Sequence, residues 1–145
     1  MKSMTSIAPL ELVTKHFLDR LAGLDVNDAL GAVDDGIVYT NVGFPTVRGK
    51  KRFSAVMRNL NTSWLHFDYR MLNSAADDDV VLTERIDELT IGRLRLQFWV
   101  CGRFEVREGR IVVWRDYFDI FDCTKALVRG VVALAVPKVL PPLHP

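Results

Sequence analysis

The stretch LRLQFWVCGRFEV, residues 94–106, decides the fold. Leu94, Leu96, Phe98, Val100, Phe104 and Val106 alternate with Arg95, Gln97, Trp99, Cys101, Arg103 and Glu105. A period of two belongs to a β-strand with one apolar face. The run is well over twice the usual strand length of about five or six residues. Long strands with one fully apolar face predict a strongly curved sheet wrapped over helices, which leaves an internal cavity.

Outward from this strand, Glu108-Gly109 marks a turn and residues 110–121 read as the last strand. On the other side, residues 80–89 read as a strand, preceded by a solvated turn at Asp77-Asp78-Asp79. Residues 64–73 alternate, with Leu65, Phe67, Tyr69 and Met71 on one face and His66, Asp68 and Arg70 on the other. Phe53, Val56, Met57 and Leu60 form one face of a helix after Gly49. Residues 37–44 are β-branched and aromatic, a strand that ends at Gly43 and Pro45. Asp34-Asp35-Gly36 reads as a turn, and a short helix capped by Asn27 is expected to run to about Val33. Leu10, Val13, Phe17, Leu18 and Leu21 give the first helix, with Pro9 in its first turn and Gly23 at its end. Helices first and then a meander of long strands is an α+β pattern.

The C-terminal segment is unusual. Asp122 is placed to cap a helix through Cys123, Ala126, Leu127, Val131, Leu134 and Val136, stopped by Pro137. After Lys125, Arg129 is its one charged residue. A helix apolar all round must be covered, by the sheet, a dimer interface, a cavity that it lids, or lipid. The tail 141–145 is expected to be disordered. This gives one domain over residues 1–145 with an ordered core of about 9–136.

Composition narrows the function. A mean hydropathy of +0.11 is high for a small chain with 26% charged residues. Apolar surface must go beyond a minimal core. Nineteen basic against eighteen acidic residues leave a net charge of +1, without the basic excess that phosphate binding needs. Cys101 and Cys123 are too few for a disulfide framework and read as reduced core thiols. His16, His66 and His144 lack metal-ligand spacing. No Gly-rich phosphate loop, nucleophile elbow, signal peptide or spanning segment is recognisable. A cytoplasmic enzyme or binding module without metal or cofactor, nucleic-acid partner or stable membrane insertion is expected.

Strand parity then collects charges on apolar faces. Trp114, Asp116 and Phe118 share one face, so a carboxylate lies between two aromatics. Arg85 and Asp87 share another, flanked by Thr83 and Leu89, although the opposite face carries Val80, Leu82 and Ile86 as well as Glu84 and Glu88. Tyr39 and Asn41 share a third with Ile37. If these faces meet, one cavity holds two carboxylates, a guanidinium, a phenol and an amide among apolar walls, which is the make-up of a ligand site. The plain alternative is a satisfied structural Asp and an exposed Arg-Asp pair.

The segments 38–42 (VYTNV), 82–87 (LTERID), 98–104 (FWVCGRF) and 114–119 (WRDYFD), in this order and spacing, resemble the limonene-1,2-epoxide hydrolase family, especially its actinobacterial members, from about Pro9 to Val136. The resemblance implies a cone-shaped, nuclear-transport-factor-2-like fold. A curved mixed sheet would pack on N-terminal helices and enclose a deep apolar pocket, usually in a homodimer. It implies one-step opening of a lipophilic epoxide to a vicinal diol. Asp116 would be the general base, Tyr39 and Asn41 would hold the water, Asp87 would be the general acid, and Arg85 would bridge the carboxylates. Trp114, Phe118, Phe98, Leu89 and Phe67 would line the pocket. Roles in terpenoid or lipid metabolism or in detoxification go with this activity. Residues 44–49 and the C-terminal helix depart from the limonene enzyme, so substrate identity does not carry over. The rivals are a ketosteroid-isomerase-like or polyketide-cyclase-like enzyme, or a non-catalytic lipophile-binding module, on the same fold.

Overall fold

The computed structural model describes the backbone of residues 4–145 and the side chains of residues 10–145. Helices α1 (Met4–Ala22) and α2 (Val26–Leu30) come first, then β1 (Val33–Asn41), β2 (Val47–Arg48), α3 (Lys50–Leu60), and the strands β3 (Leu65–Asp77), β4 (Val80–Ile91), β5 (Leu94–Arg107) and β6 (Arg110–Phe118). Helix α4 (Ile120–Ala135) and a 3-10 turn at Pro137–Val139 follow. The six strands form one open sheet in the order β2-β1-β6-β5-β4-β3. β1 runs parallel to β6 and the other neighbours are antiparallel, so the sheet is mixed.

Register breaks between Val33 and Val38, Met71 and Asn73, and Glu105 and Val106 bend the strands. The inner face carries the alternating residues that 94–106 predicted: Val100, Phe104 and Val106 are buried, while Trp99 on the outer face is 42% exposed. Phe17, Leu18 and Leu21 of α1 and Phe53 and Met57 of α3 fill the hollow of the sheet. Trp114 is the hub of that packing. Its ring lies 4.6 Å from Tyr39, 5.2 Å from Phe17 and 5.5 Å from Phe104.

Several boundaries differ from the sequence reading. α1 begins at Met4, ahead of Pro9. Asp25 caps α2, its side chain accepting from the Asp28 amide, and the helix stops at Leu30 rather than Val33. Asp34, Asp35 and Gly36 do not turn the chain back. They form the irregular stretch of β1 between its paired residues Val33 and Val38. That strand ends at Asn41, because the Phe44 amide donates to the Asn41 carbonyl in a turn. Asp77 closes β3, leaving Asp78 and Asp79 to make the turn.

The C-terminal part differs most. β6 stops at Phe118, and Asp119 caps α4 by accepting from the Phe121 amide. Asp122, the expected cap, instead accepts from the Trp99 amide at 3.1 Å. The tail is packed, not disordered: Leu140 and Leu143 are buried, and the Pro141 carbonyl accepts from Arg95 and Gln97. Cys101 and Cys123 are free thiols, but half-buried rather than core. Among the described residues, no helix is long and apolar enough to cross a membrane.

Candidate active site

Parallel pairing of β1 with β6 sets Tyr39 beside Trp114 and Asn41 beside Asp116. Antiparallel pairing sets Asp116 beside Gly102 on β5, and Gly102 beside Thr83 on β4. Residues two apart on β4 then carry Thr83, Arg85 and Asp87 along the same inner face. The register thus brings Tyr39, Asn41, Arg85, Asp87 and Asp116 together from three strands.

Arg85 is completely buried, although over residues 80–89 the other face of β4 holds more aliphatics. Leu82 on that other face is 55% exposed, which settles the parity of the strand. The Arg85 guanidinium forms a fork with Asp87, Nε to Oδ1 at 2.9 Å and Nη2 to Oδ2 at 2.8 Å. Nη2 also donates to Asp116 Oδ2 at 2.9 Å, and Nη1 to Thr83 Oγ1 at 3.3 Å. The indole of Trp114 donates to Asp116 Oδ1 at 2.8 Å. The Asn41 amide donates to the Tyr39 hydroxyl at 2.8 Å. One guanidinium therefore bridges two nearly inaccessible carboxylates, and each acid is fixed at both oxygens.

Burial sets the electrostatics. It pushes the Asp87 carboxyl above its ordinary value, against the pull of the Arg85 charge. Burial alone would disfavour the Arg85 cation, but Asp116 and Asp87 outweigh it and hold the guanidinium firmly protonated. Burial, with the Asp116 charge beside it, raises the Tyr39 phenol, which stays neutral. One ionised and one protonated carboxyl around Arg85 make a neutral set. That state avoids the several kcal/mol that an unpaired buried charge costs.

The carboxylates open onto a cavity of about 380 Å³. Tyr39, Asn41, Asp87 and Asp116 line it together with the five expected wall residues, Trp114, Phe118, Phe98, Leu89 and Phe67. Arg85 lies behind the wall, and the carboxylates face the space. The sequence reading missed Leu21, Met57 and Leu60 from the helices, Phe44 from the loop after β1, and Cys123 from α4. It also missed Asn61, a polar wall residue, and Gly102. Helical periodicity marked Leu21, Met57 and Leu60 as buried without saying that a void lay beyond them. Gly102 did leave a signal, a gap in the apolar alternation of its strand. Among the described residues, no cluster of three His, Cys, Asp or Glu side chains could hold a metal ion.

Residues 9–129 match the family model of the limonene-1,2-epoxide hydrolase catalytic domain. The chain is 48% identical over 122 residues to the epoxide hydrolase EphG of Mycobacterium tuberculosis, covering 84% of this chain and 81% of that protein. It superposes on the structure of an M. tuberculosis LEH-like epoxide hydrolase with a TM-score of 0.90 at 43% identity, over 95% of this chain and 98% of the other. An NTF2-like protein of unknown function from Cytophaga hutchinsonii shares the fold at 15% identity, with a TM-score of 0.62 over 76% of this chain and 89% of its own. Family model, sequence identity and superposition agree: the chain belongs to the limonene-1,2-epoxide hydrolase family.

Proposed function

We propose that this epoxide hydrolase opens a lipophilic epoxide to a vicinal diol in one step, with Asp116 as general base and Asp87 as general acid. Ionised Asp116 takes a proton from a water held by Tyr39 and Asn41. The water oxygen attacks an epoxide carbon and the carbon–oxygen bond of the ring breaks. Protonated Asp87 gives its proton to the departing oxygen. The diol leaves with Asp116 protonated and Asp87 ionised, and a proton returns from one to the other by way of Arg85 or water. Ring strain drives the opening, and the two acid–base roles are worth about 10²–10⁴-fold each.

The observation that carries this reading is the fork of Arg85 between two buried carboxylates on the wall of an apolar cavity. A ketosteroid-isomerase-like site also combines a carboxylate base with a neutral donor to an oxyanion, so hydrolysis is favoured here by the family to which the chain belongs. Hydrolysis needs both protonation states at once. A cavity of about 380 Å³ lies at the small end of the range for ligand pockets, and its aromatic walls suit a compact, uncharged epoxide. Homodimer formation, a cytoplasmic location and a role in terpenoid or lipid metabolism or detoxification complete the proposal.

Asp116→Asn and Asp87→Asn should each lower diol formation by about 10³-fold or more, with the fold intact by circular dichroism. Substantial turnover in either variant overturns the assignment. Because Asp87 must carry a proton, wild-type activity should fall as pH rises through its raised pKa, an alkaline limb that Asp87→Asn cannot show. In a single turnover in ¹⁸O-labelled water, the first diol should contain the label; label appearing first in the protein means a covalent ester and refutes direct attack.

A further inference from the structure

Asn61 is the polar group in the cavity wall that the reaction above does not use. It follows the last residue of α3 and is 9% exposed. Its Nδ2 donates to the Met57 carbonyl at 2.8 Å. That bond fixes the orientation of the amide, since exchanging N and O would set two acceptors against each other. Oδ1 is therefore the free end. Among the described residues nothing donates to it, and it is buried. Leaving a buried carbonyl unpaired is unfavourable, and native structures rarely do so without a reason.

The position of Asn61 suggests that reason. Phe67, Leu89 and Leu96 lie side by side in the sheet. Their row is two residues beyond the row of Tyr69, Asp87 and Phe98, or roughly 7 Å along the strands. Asn61 precedes β3 and lines the cavity with Phe67, Leu60 and Met57. The cavity thus carries its acids on β4 and β6 and a single acceptor at the end where β3 begins. A buried water normally makes about three hydrogen bonds, and the wall residues nearest Asn61 in the chain, Met57, Leu60 and Phe67, are apolar. A ligand hydroxyl needs only the one acceptor, because the ligand body supplies the apolar contact.

We infer that Asn61 Oδ1 receives a hydrogen bond from the substrate, and that the preferred substrates are epoxides bearing a hydroxyl at the end remote from the ring. The inference rests on the epoxide hydrolase reading and deepens it. Asn61 acts here as a specificity residue: it sets which epoxide is held and takes no part in proton transfer.

The test uses three probes on one octane chain with the epoxide at one end: a terminal alcohol, its methyl ether, and the plain epoxyalkane. The ether keeps the oxygen acceptor, adds one methyl group and cannot donate. Wild-type kcat/KM should favour the alcohol over the ether by about tenfold or more. Asn61→Leu should bring that ratio close to one. Asn61→Ser, too short to reach, serves if the leucine variant does not fold. The affinities of the same probes for Asp116→Asn should show the same order. Equal turnover of alcohol and ether by the wild type, or an unchanged preference in the Asn61 variants, overturns the inference. If no probe yields diol but the alcohol still binds more tightly through Asn61, the hydrolase reading fails and the recognition stands.

Discussion

At the scale of single residues, a glycine without a side chain shapes the site most sharply. A Cβ built on Gly102 would lie 2.5 Å from Arg85 Nη1, 2.7 Å from Thr83 Oγ1 and 2.8 Å from Asp116 Oδ1. None of these atoms is a loose end. Each is tied into the hydrogen bonds that hold the triad of Arg85, Asp87 and Asp116, so the methyl group of Gly102→Ala must shift the guanidinium, Thr83 or the Asp116 carboxylate. A misplacement near 1 Å can cost about 10²-fold in rate, and overpacking costs roughly 1–3 kcal/mol of stability. Gly102→Ala should therefore lose about a hundredfold in kcat while melting only a few degrees lower. Wild-type kinetics in this variant would show that the triad tolerates the shift. The same strand explains what the sequence could reveal. That the three faces meet rested on the family resemblance, while Asp116 with Trp114, Arg85 with Asp87, and Tyr39 with Asn41 were legible from parity within each strand. The burial of Arg85 was not, since counting aliphatics favours the face of Leu82, and only the partners Asp87 and Asp116 make a buried guanidinium tolerable.

At the scale of elements, α4 does what a strand would otherwise do. β6 ends opposite Val100, which leaves one edge of residues 94–99 of β5 without a neighbouring strand. The helix supplies the missing partners. Asp122 accepts from the Trp99 amide, and Arg129 donates to the Gln97 carbonyl at 2.6 Å. Gly130 permits this closeness, because a Cβ there would run into the Arg95 carbonyl. Two effects of Gly130→Ala compete. Alanine gains about 1 kcal/mol in helix propensity, but a backbone carbonyl in a sheet cannot swing away, so the clash should win. Gly130→Ala is expected to lower the melting temperature by roughly 3–8 °C; an unchanged or higher value would show that α4 sits further from β5. The helix itself was legible from its apolar run. Its cap was not, because Asp119 and Asp122 are both suitable residues in the sequence and only the end of β6 decides between them. The packed tail was equally hidden, since a Pro-rich terminus carries no periodicity.

At the scale of the whole molecule, the high mean hydropathy resolves into two surfaces. One is the cavity wall, bounded by aromatic and aliphatic side chains from every layer. The other faces outward on α4, where Leu127, Val131 and Leu134 follow one another at helical spacing and stay about half exposed. Their neighbours Val128 and Val132 are exposed too. Scattered apolar residues on a surface need no partner, but a contiguous stripe along one helix marks an interaction face. A second copy of the chain is the economical cover, because a two-fold axis sets the same stripe against itself. A stable interface needs about 800 Å² from each partner, more than one stripe provides, so the exposed Trp99 of the adjoining β5 edge should lie in the same contact. The wild-type protein should sediment as a dimer. Leu127→Lys combined with Val131→Lys places like charges opposite each other across the axis and should yield a monomer. Cavity residues are untouched by these changes, so the monomer should still bind ligands in the cavity. A wild-type monomer, or a variant that stays dimeric, would remove α4 from the interface.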